Sequence, residues 1–184
     1  LSSYFLPYPT QLTGAYYREG NDLQESWTSR NIEGERMLDV PLFLVTSGKT
    51  FSAAESFAYD MKVRKRATLV GDSTKGGAHD VGYFKIDDQF EMYLSIGRGI
   101  NPVTHTNWEG IGVVPDVVVP ASSALDTAIV LARKAAEEYG KKSDDQLKQG
   151  VERMEIHLAR AEQLCRENNT VSAKACLDSM FQIA

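Results

Sequence analysis

Val40-Pro41-Leu42-Phe43-Leu44-Val45 is a continuous apolar run that closes in the turn Ser47-Gly48-Lys49-Thr50, and this junction constrains the fold more than any other stretch. An uninterrupted apolar strand suits a sheet covered on both faces. A helix-like segment from about Ser52 to Val63 follows, and then a second short apolar run, Ala67-Thr68-Leu69-Val70. Strand, helix and strand within about thirty residues make a crossover unit with parallel strands. The class that follows is α/β, built around one βαβ unit.

The turn delivers Ser52 to the first turn of the helix, beside unpaired backbone N–H groups and the positive end of the helix dipole. An acyl-transfer nucleophile works well there. The Ala53 N–H could meet an oxyanion, and the small side chains of Ala53 and Ala54 would let a substrate backbone come close. The same letters also spell a capping box, in which Ser52 accepts from the Glu55 N–H and Glu55 reaches back to the Ser52 N–H. That arrangement contributes about 1 kcal/mol to the helix and no chemistry. Local sequence leaves both readings open.

Along the rest of the chain, Gly14–Glu19 and Leu23–Thr28 flank Gly20-Asn21-Asp22 and read as a hairpin. Val81–Ile86 and Phe90–Ile96, joined by Asp87-Asp88-Gln89, read as a second. A long loop from Gly97 to Gly112 carries Trp108; loops of that length in compact domains tend to be functional. Val113–Val119 is a short extended element interrupted by Pro115. Ser122 or Ser123 can cap a helix from Leu125 to Tyr139, with Leu125, Ala128, Ile129, Ala132 and Ala136 on one face. Gly140-Lys141-Lys142-Ser143 reads as a break, after which Asp144–Glu167 and Ser172–Ile183 form a helical pair around Asn168-Asn169. The expected organisation is thus a main domain over 1–140 and a helical hairpin extension over 141–184.

Bulk properties narrow the function. A net charge of −5, with no Lys/Arg cluster clear of acidic neighbours, argues against a nucleic-acid surface and for a peptide or small-molecule partner. No stretch approaches the roughly 20 apolar residues of a membrane span; no charged-then-apolar leader is read at Leu1, which says little about export because a chain that starts there is expected to be a trimmed or excised piece. His79, His105 and His157 share no ligand spacing with one another or with Cys165 and Cys176, so no metal or organic cofactor is expected. The two cysteines could bridge a helical hairpin in an oxidising compartment or stay free.

The run VPLFLVTSGKTFSAAESFAYDMKVRKRATLVGDSTKGGAHDVGYF, followed by WEGIGVVPDVVVP, resembles the C-terminal half of the tail-specific or carboxy-terminal processing proteases over about Leu12 to Ala136. Within that family it is most similar to the branch of the tricorn core protease and interphotoreceptor retinoid-binding protein. The resemblance implies a crotonase-like and Clp-protease-like layered fold with a helical C-terminal extension. It also implies an extracytoplasmic, periplasmic or secreted setting and a peptide or protein substrate. Carried over residue by residue, Ser52 resembles the family's nucleophile, Ala53 an oxyanion donor, and Glu109 in Glu109-Gly110-Ile111-Gly112-Val113-Val114-Pro115-Asp116 the carboxylate that orients a histidine.

That histidine, in the tricorn-like branch, lies well before the nucleophile, where this chain has none, and the glycine-rich oxyanion segment would precede Leu1. The chain is therefore expected to be a fragment, inactive alone. Two substitutes for the base stand in the sequence: Lys75, two positions early for the lysine of the other branch, and His79 in Gly76-Gly77-Ala78-His79. A base lysine must be desolvated, whereas Lys75 sits in a polar turn. His105, in the long loop, is a third histidine near Glu109 in sequence. The rival readings are a retinoid- or fatty-acid-binding module, with Trp27, Tyr83, Phe84, Tyr93 and Trp108 lining an apolar cleft, and a non-catalytic scaffold. In either case the apolar stripe Leu147, Val151, Met154, Leu158, Ala161 and Leu164 could join copies into a homo-oligomer.

Overall fold

Strands β1 (Gln11–Tyr17) and β2 (Asp22–Trp27) form the first antiparallel hairpin. Strand β3 (Phe43–Thr46), helix α1 (Ala53–Val63) and strand β4 (Thr68–Gly71) follow, with β3 and β4 parallel and Phe43 opposite Thr68. Strands β5 (His79–Lys85) and β6 (Glu91–Ile100) make the second hairpin, and the two-residue strand β7 (Val117–Val118) pairs in parallel with β4. The result is one antiparallel sheet of order β2-β1-β6-β5 and one parallel sheet of order β3-β4-β7. Helix α2 covers Ala121–Arg166. The computed structural model describes residues 1–167 and residues 171, 172, 174, 175 and 178.

Contacts group the chain into two units, Leu1–Arg133 and Lys134–Ala184. In the first, the core is small: Ala58 of α1, Leu69 of β4, Trp108 and Val113, with Leu44, Tyr59, Ala67 and Ala78 packed around them. Gly71 ends β4 at φ +135°, and a Cβ there would stand 2.0 Å from the Thr46 carbonyl oxygen, so a larger residue would push β3 and β4 apart. Val45, by contrast, is exposed, so β3 is not covered on both faces as its composition suggests.

Two expectations about α2 change. The helix starts at Ala121 rather than Leu125, and its first turn is met by Asp72, whose carboxylate accepts the Ala121 N–H at 3.3 Å, in place of a serine cap. Its buried face carries Ala124 and Ala128, while Leu125 and Ile129 point outward. Small residues on this face suit the close approach at Gly71, where the Ala124 Cβ would lie 3.3 Å from an added Cβ. The helix also runs through Gly140 to Ser143. A single glycine costs a helix about 1 kcal/mol relative to alanine, and no proline stands there to stop it. In the second unit Leu147, Val151 and Leu158 are exposed, whereas Ala161 and Leu164 are buried. The second helix expected over Ser172–Ile183 lies largely outside the described residues, as do Cys176 and the Cys165 side chain.

A buried carboxylate ties α1 to the antiparallel sheet. Asp60 accepts the Thr13 N–H at 3.1 and 3.2 Å, the Asn101 amide at 2.9 Å and the Arg64 guanidinium at 2.9 Å. Arg64 reaches on to the Gln11 carbonyl. Asn101 turns its own oxygen to the Val103 and Thr104 N–H groups, so the same cluster starts the long loop after β6. Burial nevertheless raises the Asp60 carboxyl above its ordinary range, with the Thr13 bonds and the Arg64 charge opposing it.

Asp60→Ala would leave Arg64 and Asn101 facing an unpaired cavity. Breaking a buried pair from one side costs about 3 kcal/mol or more. Urea unfolding of the variant should therefore show a midpoint well below that of the parent, with an unchanged slope.

Candidate active site

The junction between β3 and α1 is a closed turn: the Thr50 N–H donates to the Ser47 carbonyl at 2.9 Å, and the Ser47 N–H to the Thr50 hydroxyl at 3.1 Å. Ser52 then stands at the N-cap of α1 with φ +56° and ψ −121°, and it is exposed. A non-glycine residue held in this region is strained by about 1–3 kcal/mol. A sharp, strained strand-to-helix turn is also the geometry that presents a serine hydroxyl outward as a nucleophile. Ala53, the first helical residue, has no N–H partner within its own helix.

Glu55 holds this turn in place. It is fully buried, and its carboxylate accepts the Ser52 N–H at 2.8 Å, the Gly76 N–H at 2.6 Å, the Gly77 N–H at 2.9 Å and the Thr74 hydroxyl. Burial pushes its carboxyl upward, but these four donors outweigh burial and hold it below its ordinary range. The expected capping box is present, with Glu55 reaching back to the Ser52 N–H. The bonds to Thr74, Gly76 and Gly77 lie about twenty residues away and have no local signal beyond an acidic residue in a first helical turn.

Thr74 passes the constraint on, since its hydroxyl oxygen accepts the Val113 N–H at 2.7 Å. Gly112, at φ +79°, lets that segment approach: a Cβ there would fall 2.1 Å from the Thr74 carbonyl oxygen. The Gly110 N–H donates to the Gly76 carbonyl at 2.9 Å and the Trp108 indole to the Gly77 carbonyl at 3.1 Å. Asn107 accepts the Glu109 N–H at 2.9 Å. Asp116, at the other end of the motif, accepts the Leu69 N–H at 2.9 Å and Lys62 at 2.6 Å. Burial raises its carboxyl and these two partners more than compensate, so that it too lies below its ordinary range.

Ser52, Ala53 and Ser56 form one wall of a cleft of about 390 Å³ whose other walls include Thr13, Gly14, Gly77, Ala78, His79 and Trp108. A larger depression of about 980 Å³ shares Ala53 and Ser56 with it and is lined by Leu12, Leu44, Phe51 and Phe57. Glu109 lies behind the Ala78–His79 wall: its Oε2 accepts the Ala78 N–H at 2.6 Å and the His79 N–H at 3.1 Å, and its Oε1 stands 3.9 Å from His79 Nδ1. Ser52, Ala53 and His79 therefore line one cleft, and Glu109 is bonded to the backbone of its Ala78–His79 wall.

The other candidates fall elsewhere. The Lys75 ammonium lies over the Phe51 ring, 4.8 Å from its centroid, and its side chain is exposed. His105 lines a different depression with Gln11, Leu23 and Pro102. Of the five aromatics expected to share an apolar cleft, Trp108 alone lines the one beside Ser52; Trp27, Tyr83, Phe84 and Tyr93 are exposed, and Tyr83 packs on Tyr93. Among the described residues no three His, Cys, Asp or Glu side chains gather as a metal site requires, and no helix is long and apolar enough to cross a membrane.

Comparison with known proteins decides the family. The profile of peptidase family S41 matches residues 1–119. The chain belongs to peptidase family S41. It is 30% identical over 97 residues to a carboxyl-terminal-processing protease of Picosynechococcus, which covers 53% of this chain and 23% of the relative. It is 31% identical over 86 residues to the chloroplastic carboxyl-terminal-processing peptidase 2 of Arabidopsis thaliana, covering 47% of this chain and 16% of that protein. The S41 chain thus spans less than a quarter of the length of the curated relatives it matches. Its mixed α/β fold is shared with a putative peptidase from Parabacteroides merdae, with a TM-score of 0.57 at 18% identity, over 71% of this chain and 45% of that one. It is shared also with a photosystem II D1 C-terminal processing protease, with a TM-score of 0.51 at 21% identity, over 65% and 30%.

Glu55→Gln tests the hub. The amide would set two donors among four donors, a loss of about 1–3 kcal/mol. Because the folded carboxyl lies low, its contribution is whole above the unfolded carboxyl range and is lost as pH falls through the folded value. Asp60, raised by burial, acts in the opposite sense and is common to both proteins. Stability measured from pH 7 downward should therefore fall less steeply in Glu55→Gln than in the parent.

Proposed function

We propose that this S41 chain carries the nucleophile of a serine-type, carboxy-terminal processing peptidase, and that Ser52 attacks the carbonyl of a peptide bond. The observation that carries the reading is the backbone of Ser52. A serine is kept at φ +56° on a strand-to-helix turn, exposed to a cleft, by a buried glutamate that binds its N–H. A helix cap needs no such strain, because cap residues ordinarily take extended backbone angles. As the Ser52 oxygen bonds to the carbonyl carbon, the developing oxyanion is met by the Ala53 N–H, at the positive end of α1.

Family membership supports the reading, as do relatives named for carboxyl-terminal processing. The substrate in this reading is a peptide or protein, and the setting is extracytoplasmic. The larger depression that shares Ala53 and Ser56 with the cleft is apolar enough to take substrate side chains next to the reacting bond.

In the full-length protein a fluorophosphonate probe should label Ser52, with Ser52→Ala unlabelled and equally folded; a full-length parent that resists the probe at millimolar concentration would overturn the assignment. Ser52→Gly should be unlabelled as well, and more stable than the parent by about 1 kcal/mol, because glycine adopts this backbone without strain. Thermal unfolding of the two variants separates the strain from the hydroxyl.

A further inference from the structure

We infer that the β5–β6 hairpin is a docking surface for a second copy of this chain, with Arg98 of each copy set against Glu91 of the other. The inference goes beyond the peptidase reading and does not depend on it. It begins with a break in register. Asp80 pairs with Gly97 and Val81 with Ser95, so Ile96 has no partner and forms a bulge in β6. A bulge re-aims the side chains beyond it. Ile96 turns toward Gly82, where its Cγ2 would stand 3.0 Å from an added Cβ. Arg98, opposite His79, is thereby brought onto the face of Ser95, Tyr93 and Glu91, which lie opposite Val81, Tyr83 and Lys85. Unbroken alternation would have put Arg98 on the other face, because strand side chains repeat every second residue.

Charge on this face changes sign along the hairpin. At the base, Tyr16, Arg98 and His79 form one cross-strand row, and with Arg18 and Ser95 they line a depression of about 370 Å³. The Arg98 guanidinium lies over the Tyr16 ring, 5.2 Å from its centroid. In the middle, Val81, Tyr83 and Tyr93 are half to two-thirds exposed, with the two tyrosine rings 4.2 Å apart. At the tip stand Glu91, Asp87 and Asp88; Lys85, opposite Glu91, donates to Asp88 at 2.7 Å instead. Among the described residues Arg18, Arg98 and Glu91 have no ion-pair partner.

A face that is positive at one end, negative at the other and aromatic between matches itself when reversed. Glu91 and Arg98 lie roughly 20 Å apart at about 3.3 Å per residue. A two-fold axis perpendicular to the strands lays β6 on β6 in opposite directions, at the ~10 Å spacing of packed sheets. Glu91 of each copy then reaches the depression between Arg18 and Arg98 of the other, and Val81 meets the Tyr83–Tyr93 pair. In such an isologous contact each charge pair occurs twice. A partner of another sequence would need the same order in reverse, which a second copy supplies.

The test is sedimentation of the full-length protein from low micromolar to several hundred micromolar. The parent should dimerise within that range, because a face two strands wide falls near the about 1,200 Å² that divides standard interfaces from weak ones. Arg98→Glu and Glu91→Arg should each weaken association by about 100-fold or more, since each sets like charges together in two places, and Arg98→Gln by about 10-fold. The double variant carrying both reversals should return to within about threefold of the parent. That rescue also controls for folding: damage to the Arg98–Tyr16 packing would not be repaired by Glu91→Arg, and Glu91→Arg tests the pair from its exposed end. A parent that stays monomeric throughout overturns the inference. So does a dimer that none of these variants weakens, which would lie on another surface such as the α2 stripe, or a double variant that stays monomeric. Each of these outcomes leaves Ser52 labelling, and with it the peptidase reading, unchanged.

Discussion

A single buried carboxylate sets the geometry around which the first unit is arranged. Glu55 has no access to water, and the loss of its hydration is offset by three backbone N–H groups and one hydroxyl. Two of those donors are consecutive, Gly76 and Gly77, so the loop after β4 is pinned against the first turn of α1. Thr74 and Gly76 in turn engage Val113 and Gly110, and Gly77 receives the Trp108 indole. The segments that carry Gly77 and Trp108 to the Ser52 cleft are therefore referenced, within one or two bonds, to the same carboxylate.

The strain at Ser52 belongs to this arrangement. On its own, a serine would leave the left-handed region, but the Glu55 bond to its N–H and the closed turn before it fix the backbone. Asp60, one turn further along α1, ties the same helix to β1 and to the loop that leads to Trp108. Two buried acids on one helix thus hold its two sides, and the cleft lies where the segments they hold come together. The charges differ in balance. At Glu55 the donors prevail over burial, whereas at Asp60 burial prevails even beside Arg64.

Much of this was legible in the chain because it is written in short-range patterns. The apolar runs before Ser47 and after Arg66, with a helical segment between them, specified the parallel pair, and the Gly20-Asn21-Asp22 and Asp87-Asp88-Gln89 turns specified both hairpins. Ser52 and Glu109 were readable as a candidate pair from a resemblance of ordered segments. What escaped was long-range or quantitative. Glu55 looks like a cap because its bond to Ser52 is local and its bonds to Gly76 and Gly77 are not. Asp72 caps α2 from a different strand's end, and no spacing rule connects it to Ala121. Gly140 was too weak a breaker for a helix of good formers. The aromatics of β5 and β6 suggested a pocket, yet a hairpin can leave both faces open: Phe84, Ile86, Phe90, Met92, Leu94 and Ile96 remain 40–61% exposed.

The segment from Glu109 to Asp116 has both ends anchored, one to the peptide of residues 78–79 and the other to β4 and Lys62, with Gly112 pressed against Thr74 between them. It behaves as a ruler of fixed length. Its side chains at Ile111 and Val114 face outward and can vary in kind, but the number of residues between the two acids cannot change without unseating one of them. Substitution is thereby open at Ile111 and Val114, whereas insertion between the two acids is not.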